Sequence, residues 1–593
     1  MGSQSLRRSQ FIITYGPGAI LEGSQGPRII PTLERSRVFD SRNPADYEIT
    51  DLRLSEALLD GAAIVRLPSN AEVGVPDTQD IYETERFPTW SLCVQHGILY
   101  RKTMTTSANR ACPRCRDFDN RFDAWRQAGR QAIRFVRACT NGHLDDVDWI
   151  GIIDHTRNNC RPNYLLWHGG GGALRHVSVQ CPTCHAAINL GVAYAREWTC
   201  TGRSPEQGRD RAAGCSVNAK IIQRGAANLR ISELQTALTI PPRATQLHRL
   251  LEMDRVRTVL AALPSHSKAA LIAALQRLVQ QRLIGQGVID EIQRYDEQYI
   301  LDAIREVLTG GLPQGVRDLR LQEFEALRHA AVNGAPPQPA STPGAPPQFE
   351  VIRSHIRRVR GRNGHLLRVT PVDRLRVVMV QTGYRRIDPV NSTPVDRRFF
   401  YGDREWYPGV ELFGEGLFVD LEAANHYPLN GAAANAWLDE WDRQHAFRPG
   451  FTGEERDHLH PVFVWWHMLS HRLINALAVD SGYSSASVRE RVYVNIDPAT
   501  GIATGGVLLY TAQPGGDGTL GGLIALVPEF ERVLDSAFRT LDSCSNDPLC
   551  GEEEFASGKY NGAACYACAL VSETSCEYRN MRLDRNLLRE NLP

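Results

Sequence analysis

The sequence predicts an α+β protein of several domains. At 593 residues the chain is too long for one hydrophobic core, so three or four domains are expected. Within residues 221–333 apolar residues recur at helical spacing, whereas short strand-like runs prevail before and after this stretch. The 14 cysteines fall into two regions, nine in residues 91–220 and five in the last fifty residues.

The chain divides into five consecutive segments. Residues 1–90 form a mixed N-terminal segment, and residues 91–220 form the cysteine-rich region, with little helix. The helical segment spans 221–333, and the Pro-rich stretch 334–349 is a linker that cannot pack. In residues 350–593 strands such as RLRVVMVQTGY precede the helix HPVFVWWHMLSHRLINALA, which predicts a mixed α/β domain.

Composition restricts the classes of function. The formal net charge is zero, so any contact with nucleic acid must come from local patches. No stretch is apolar enough to span a bilayer, and the first residues lack the apolar core of a signal peptide. We therefore expect a cytoplasmic protein without a membrane partner. In that compartment 14 cysteines indicate metal binding rather than disulfides.

The cysteines and neighbouring histidines have the spacing of tetrahedral zinc sites, with CxxC or CxxH pairs completed by two further ligands. Four protein ligands make a closed, structural site, so three or four structural Zn²⁺ ions are expected. Grouping by proximity in the sequence gives four sets: Cys93, His96, Cys112 and Cys115; Cys139, His143, His155 and Cys160; Cys181, Cys184, Cys200 and Cys215; and Cys550, Cys565, Cys568 and Cys576.

This grouping uses thirteen of the fourteen cysteines and leaves Cys544 over. It is not unique. Cys544 could replace Cys550, and the three N-terminal sets could exchange partners.

Motifs for catalysis are weak or absent. Only four lysines occur, and none stands in the G-K-[ST] pattern of a P-loop, so the chain is not expected to hydrolyse ATP. The GxGxxG match at 516–521 predicts a tight turn. His467 and His471 lie one helical turn apart, but Met468 stands where a zincin has glutamate, which favours helix packing.

Two groups of charged residues are candidates for binding. Glu411, Glu415 and Asp420 alternate along a strand-like run and could bind Mg²⁺, although solvated or salt-bridged acids are the expected outcome. A basic patch directly after the linker is a candidate for DNA phosphate contacts. It comprises Arg353, Arg357, Arg358, Arg360 and Arg362.

The C-terminal region, from about residue 400 to 585, resembles the MZB domain, a zinc-binding domain appended to superfamily 2 helicases. The resemblance rests on WYPGVELFGEGLFVDL, HMLSHRLINAL, SGYSSASVRERVY, GVLLYTAQPGGDGTLGGL and GAACYACALVSETSCEYRNMRLDR, which occur in the family's order. The segments RRSQFIITYGPGAI, CPRC and ACTNGHLDDVDW extend it to the helicase-associated subunits of the DISARM anti-phage defence system.

The resemblance implies zinc binding by the C-terminal cysteines and a heterodimer with a DrmA-like superfamily 2 helicase, which supplies the ATPase. We therefore expect a non-catalytic, DNA-binding zinc subunit of a defence complex that restricts phage. The alternatives are a metal-dependent nuclease, using the three acids or an open histidine site, and a DNA-binding zinc protein that acts alone.

Overall fold

The structure is a computed structural model, and it confirms the α+β class. It describes residues 5–593 except 24–25, 37, 40–41, 102–111, 115–131, 157–159, 170–171, 209–213, 241–245, 264–266, 296, 310–314, 335–347, 388–391, 396–404, 448–452, 498, 513–521 and 540. Within the described ranges, no helix has the length and apolar content needed to cross a bilayer.

The chain forms two compact units. The first comprises Met1–Ile49, Ala62–Gln235 and Met379–Val410, and the second comprises Thr50–Gly61, Thr236–Val378 and Glu411–Pro593. Each unit therefore joins stretches that are distant in sequence, whereas the segments predicted from the sequence are consecutive.

The first unit is built on small antiparallel sheets. The N-terminal sheet has the strands Ile20–Gly23, Gly26–Ile29 and Glu85–Arg86. In spatial order, the five-stranded sheet contains Ala187–Asn189, Ser178–Gln180, Tyr164–His168, Ile98–Arg101 and Trp90–Cys93. The four-stranded sheet contains Glu197–Thr199, Asn218–Gln223, Phe135–Ala138 and Leu144–Asp146.

The remaining regular structure of this unit is short. Its helices are Arg8–Ile13 and Leu190–Ala195, and Asn189 caps the second by accepting from the amides of Gly191 and Val192. The strand Ala63–Arg66 pairs in parallel with residues 406–409, and Thr393–Pro394 forms a short strand. The strands of these small sheets are two to six residues long, so each of them buries few side chains.

Within the stretch 221–333 that the sequence predicts as helical, residues 221–223 and 231–238 lie in strands, and the helices begin at Gln246 in the second unit. The helices of this segment are Gln246–Glu252, Asp254–Ala262, Lys268–Gln280, Gln286–Gln293, Glu297–Thr309 and Val316–Asn333. Ser267 caps the third by accepting from the Ala270 amide at 3.1 Å. Leucines and isoleucines at helical spacing, among them Leu271, Leu275 and Ile289, form its own buried cluster.

The C-terminal part of the second unit is an antiparallel sheet packed against helices. The long strand Leu366–Arg385 pairs with Phe349–Val351 and with Arg357–Arg360. The strand Ala503–Thr511 pairs on one side with residues 416–420 of Trp406–Leu421 and on the other with Val488–Ile496. Outside the helical segment, the helices described in the second unit are Leu52–Leu58, Ala432–Phe447, Gly453–Asp457, Pro461–Asp480, Phe530–Arg539 and Arg585–Glu590. Three strands contain residues of both units: Ile231–Leu238, Leu366–Arg385 and Trp406–Leu421.

The helix Pro461–Asp480, which we call the core helix, is the centre of this unit. Every residue from 461 to 474 is buried, because the sequence VFVWWHMLSHRLI has apolar side chains on all faces of the helix. Pro461 occupies the first turn, where its missing amide costs no hydrogen bond, and His460 caps the helix by accepting from the Val462 amide at 3.2 Å.

A fully buried ion pair joins the helical segment to the sheet within the second unit. Arg491, on the strand Val488–Ile496, binds Glu323 of the helix Val316–Asn333 in a bidentate manner, with N···O distances of 2.7 and 2.9 Å. Neither side chain is exposed. Two charges in this environment are tolerated only because each compensates the other.

We predict that Glu323→Gln lowers the free energy of unfolding by about 3 kcal/mol, because Arg491 then stays buried with only Glu577 as its charge partner. The matched control is Glu529→Gln, which removes an exposed pair with Arg532 and should cost about 0.5 kcal/mol or less. Urea denaturation followed by fluorescence measures both. Equal effects of the two variants would contradict the prediction.

Candidate metal centres

Among the residues that the structure describes, cysteine, histidine and glutamate side chains converge at five places. In each, every residue offers one ligand atom, and these atoms lie within 4.8 Å of one another. We name each group after one member: the Cys93 cluster (Cys93, His96, Cys112), the Cys139 cluster (Cys139, His143, Cys200, Cys215), the Cys160 cluster (His155, Cys160, Cys181, Cys184), the Cys568 cluster (Cys544, Cys550, Cys565, Cys568) and the His467 cluster (His467, His471, Glu490, Cys576).

The Cys139 cluster lies at one end of the four-stranded sheet. Cys139 and Cys200 directly follow the strands Phe135–Ala138 and Glu197–Thr199, and Cys215 precedes the strand Asn218–Gln223. Because these strands are antiparallel neighbours, the three cysteines meet at the same edge. The Cys139 and Cys200 sulfurs are 3.5 Å apart, and each lies 3.5–3.6 Å from His143 Nδ1.

The Cys160 cluster is assembled around a turn between two strands of the five-stranded sheet. Cys181 and Cys184 lie on either side of this turn, and Cys160 Sγ is 3.5 Å from Cys181 Sγ. His155 Nδ1 is 3.2 Å from Cys184 Sγ, while its Nε2 donates to the Ile150 carbonyl at 3.1 Å. A ligand histidine is commonly oriented by such a second hydrogen bond.

Ionisation of one thiol in this cluster is favoured by its neighbours. Burial opposes the thiolate of Cys184, but a hydrogen bond from the Ala186 amide and the neighbouring His155 ring lower its pKa to about 5. Thiolate is the form of cysteine that binds a metal.

The Cys93 cluster sits at a hairpin. Cys93 ends the strand Trp90–Cys93 and His96 lies in the turn before Ile98–Arg101, which places His96 Nδ1 3.5 Å from Cys93 Sγ and 3.8 Å from Cys112 Sγ. The turn needs glycine at 97, where φ is +59° and a Cβ would lie 2.8 Å from the Trp167 carbonyl. Cys115, the predicted fourth ligand, lies outside the described residues.

The Cys568 cluster is an all-cysteine set. Its S···S distances are 3.4 Å for Cys544 and Cys565, 3.6 Å for Cys550 and Cys568, and 3.8 Å for Cys565 and Cys568. A tetrahedron with Zn–S bonds of about 2.3 Å has S···S edges of about 3.8 Å. The four sulfurs are therefore spaced as a closed tetrahedral site requires.

Hydrogen bonds surround this cluster too. The amide of Asn546 lies 3.5 Å from Cys544 Sγ, and its side-chain nitrogen lies 3.5 Å from Cys565 Sγ. Despite burial, a hydrogen bond from the Ala567 amide and the neighbouring thiols lower the pKa of Cys565 to about 7. Donors aimed at sulfur stabilise thiolate ligands.

The structure divides the N-terminal cysteines differently from the order of the sequence. Cys181 and Cys184 join His155 and Cys160, and Cys200 with Cys215 joins Cys139 with His143. The sheets explain the exchange, because antiparallel pairing brings strand ends together that are 61 residues apart in the chain. Proximity in the sequence therefore does not show which cysteines share a cluster.

At the C-terminus Cys544 takes the place that the sequence assigned to Cys576. Cys576 lies instead with the core-helix histidines, which sequence reasoning expected only to pack, and with Glu490. No pattern in the sequence indicated Glu490 as a member of a metal-binding group. The HxxxH spacing of His467 and His471 was the only signal in the sequence for this fifth group.

The three acids considered for Mg²⁺ do not converge. They belong to none of the five clusters, and each has its own partner. Glu411 pairs with Arg376 at 3.0 Å, Glu415 accepts from the Tyr483 hydroxyl at 3.0 Å, and Asp420 binds Arg368 at 2.9 and 2.6 Å.

The basic patch is exposed throughout. Arg353 lies on a short turn of helix, Arg357, Arg358 and Arg360 lie on the strand Arg357–Arg360, and Arg362 stacks over the Phe538 ring at 5.7 Å. The GxGxxG match at 516–521 falls outside the described residues.

Comparison with known proteins assigns the two ends of the chain. Residues 7–231 match a domain of unknown function, DUF8724, and residues 469–569 match the MrfA Zn-binding domain, MZB. The DISARM protein DrmB of Bacillus paralicheniformis is 26% identical over 496 residues, which cover 77% of this chain and 80% of that protein. This chain is similar to DrmB. The predicted resemblance is thereby confirmed.

The MZB match contains all four residues of the Cys568 cluster. It begins after His467 and ends before Cys576, so half of the His467 cluster lies outside it. The crystal structure of the DUF1998 helicase MrfA bound to DNA is 10% identical and covers 39% of this chain and 25% of that chain, with a TM-score of 0.18. A TM-score this low supports no argument about the fold.

The grouping of the N-terminal cysteines in the structure predicts which pairs of substitutions remove the same metal ion and which remove two different ions. Cys139→Ser and Cys200→Ser should each remove one metal ion per chain, and the double variant should also remove only one, because both residues serve one site. Cys184→Ser combined with Cys200→Ser should remove two. Elemental analysis of the purified variants measures this, and the opposite pattern would support the grouping by sequence order.

Proposed function

We propose that this chain is a non-catalytic zinc-binding subunit of a bacterial anti-phage defence complex. It partners a superfamily 2 helicase of the DrmA type in a heterodimer and contributes to the recognition of foreign DNA. The observation that carries the proposal is the similarity to DrmB over most of both chains, together with an MZB match that encloses a four-cysteine cluster.

Zinc is the metal that these ligand sets favour. Sets of cysteine and histidine with nearly tetrahedral spacing suit Zn²⁺, whereas Mg²⁺ and Ca²⁺ take oxygen ligands. Four protein ligands fill the coordination shell of zinc and leave no position for substrate. Each ion therefore acts as a structural cross-link between segments with short strands and small cores.

The ATP-driven step belongs to a partner in this proposal. The sequence contains no G-K-[ST] motif, so these 593 residues form no P-loop. A nuclease using Glu411, Glu415 and Asp420 is disfavoured, because the three carboxylates do not converge and each is bound by an arginine or tyrosine side chain.

Contact with DNA is assigned to the basic patch. Arg357 and Arg360 are exposed, and within the described part of the chain neither forms an ion pair with a carboxylate. Arg358, by contrast, binds Glu422 at 2.7 Å. Guanidinium groups held on a strand and not neutralised by acids are suited to phosphate contacts.

We predict that the purified chain hydrolyses no ATP, and that it co-purifies with a superfamily 2 helicase when the two are co-expressed. Cys568→Ser should weaken this association, because the loss of one thiolate opens the cluster. A pull-down and a coupled ATPase assay test both statements. ATP hydrolysis by the chain alone, or separation from the helicase on gel filtration, would contradict the proposal.

We predict that Arg357→Ala with Arg360→Ala weakens DNA binding equally for all sequences. The slope of log K against log salt should fall in magnitude by about 2, since each phosphate contact contributes about 0.9. The control is Arg277→Ala with Arg294→Ala, which removes two exposed arginines from the helical segment. Fluorescence anisotropy at several salt concentrations measures the slope, and an unchanged slope would rule out this surface.

A further inference from the structure

The His467 cluster brings four metal-ligating side chains together in the interior of the second unit. His467 and His471 project from adjacent turns of the core helix, Glu490 comes from the strand Val488–Ile496, and Cys576 comes from the C-terminal loop. The two histidines and the glutamate have no exposed surface, and Cys576 is 5% exposed. No solvent is available to stabilise charge here.

The hydrogen bonds define which ring nitrogens face the centre of the cluster. His467 Nδ1 lies 3.1 Å from the Arg582 carbonyl, and His471 Nδ1 lies 2.7 Å from the Ala569 carbonyl. A carbonyl oxygen can only accept, so each Nδ1 carries a hydrogen. In the neutral ring each Nε2 then presents a lone pair inwards.

Both lone pairs point at the same anion. The Nε2 atoms of His467 and His471 lie 2.9 and 3.2 Å from Glu490 Oε1, and Cys576 Sγ lies 3.3 Å from the Nε2 of His467. Four electron-rich atoms that meet in a dry interior repel one another unless a cation lies among them.

The Cys576 sulfur and the Glu490 carboxylate are both held by hydrogen bonds from neighbouring groups. The amides of Tyr578 and Asn580 donate to Cys576 Sγ at 3.3 and 3.2 Å, as backbone amides do to metal-bound thiolates. Ser470 contacts the outer oxygen of Glu490, Oε2, and leaves Oε1 for the centre. Hydrogen bonds of this kind orient ligands around a bound metal.

Protons satisfy the arrangement less well than a divalent ion does. One proton on one histidine leaves the other Nε2 lone pair facing the carboxylate. A proton on each histidine places two imidazolium cations in rings whose centres are 4.6 Å apart, and a proton on Cys576 Sγ still leaves at least one Nε2 lone pair facing the carboxylate. One divalent cation balances a thiolate and a carboxylate and accepts both nitrogen lone pairs.

We propose that His467, His471, Glu490 and Cys576 form a second metal centre of the C-terminal domain, which binds a divalent transition-metal ion of the zinc type. Nitrogen, oxygen and sulfur ligands in a set of four suit tetrahedral Zn²⁺. The centre is closed and structural, and it ties the core helix to the neighbouring strand and the C-terminal loop. Through Ala569, the residue after Cys568, His471 also connects it to the Cys568 cluster.

The direct test is an anomalous difference map, recorded at the zinc absorption edge, from crystals of the full chain purified without chelator. The expected result is a peak among His467 Nε2, His471 Nε2 and Cys576 Sγ, separate from a peak at the Cys568 cluster. The second peak is the internal control for retained metal. A peak at the Cys568 cluster with none at the His467 cluster overturns this proposal and leaves the proposed function intact.

Variants test the same centre in solution. Glu490→Gln and Cys576→Ser should each lower the metal content by one ion per chain, and combining them should lower it by no more. The control His458→Gln changes a partly buried histidine that belongs to none of the five clusters. Metal content equal to that of the unmodified chain in folded Glu490→Gln and Cys576→Ser proteins would overturn the proposal.

Discussion

Burial of the core helix Pro461–Asp480 is the constraint that organises the C-terminal half of this protein. Fourteen consecutive residues, 461 to 474, are buried, so the sheet, the helix Phe530–Arg539 and the C-terminal loops must cover every face of the helix. The polar residues inside it therefore need partners within the protein. His467 and His471 find theirs in Glu490, Cys576 and two backbone carbonyls, and these contacts hold the C-terminal loop on the core.

The N-terminal unit has less buried apolar surface to stabilise it. The strands of its small sheets are two to six residues long, and its apolar clusters are small, so burial alone supplies limited stability. The cysteine and histidine clusters lie where those strands end. At Cys139 and Cys200 the cluster joins turns that are 61 residues apart in the sequence. A metal ion held there would couple directly to folding.

The distribution of charge supports a binding role for this chain more than a catalytic one. Buried carboxylates such as Asp420 and Glu323 are paired with arginines, which leaves them no freedom to activate water or hold Mg²⁺. Within the described part of the chain, Arg357 and Arg360 form no ion pair with a carboxylate and lie exposed at the surface instead.

The sequence alone determined the α+β class, the helical middle segment, the resemblance confirmed by DrmB and the residue types that could bind metal, because periodicity and short CxxC spacings are local. Tertiary structure alone decided which ligands share a site. Antiparallel pairing exchanged the partners of Cys181 and Cys200, and packing of the C-terminal loop on the core helix moved Cys576 from the cysteine set to the histidines. Glu490 joined that group through sheet geometry, because a ligand contributed by a strand 19 residues away leaves no pattern in the sequence.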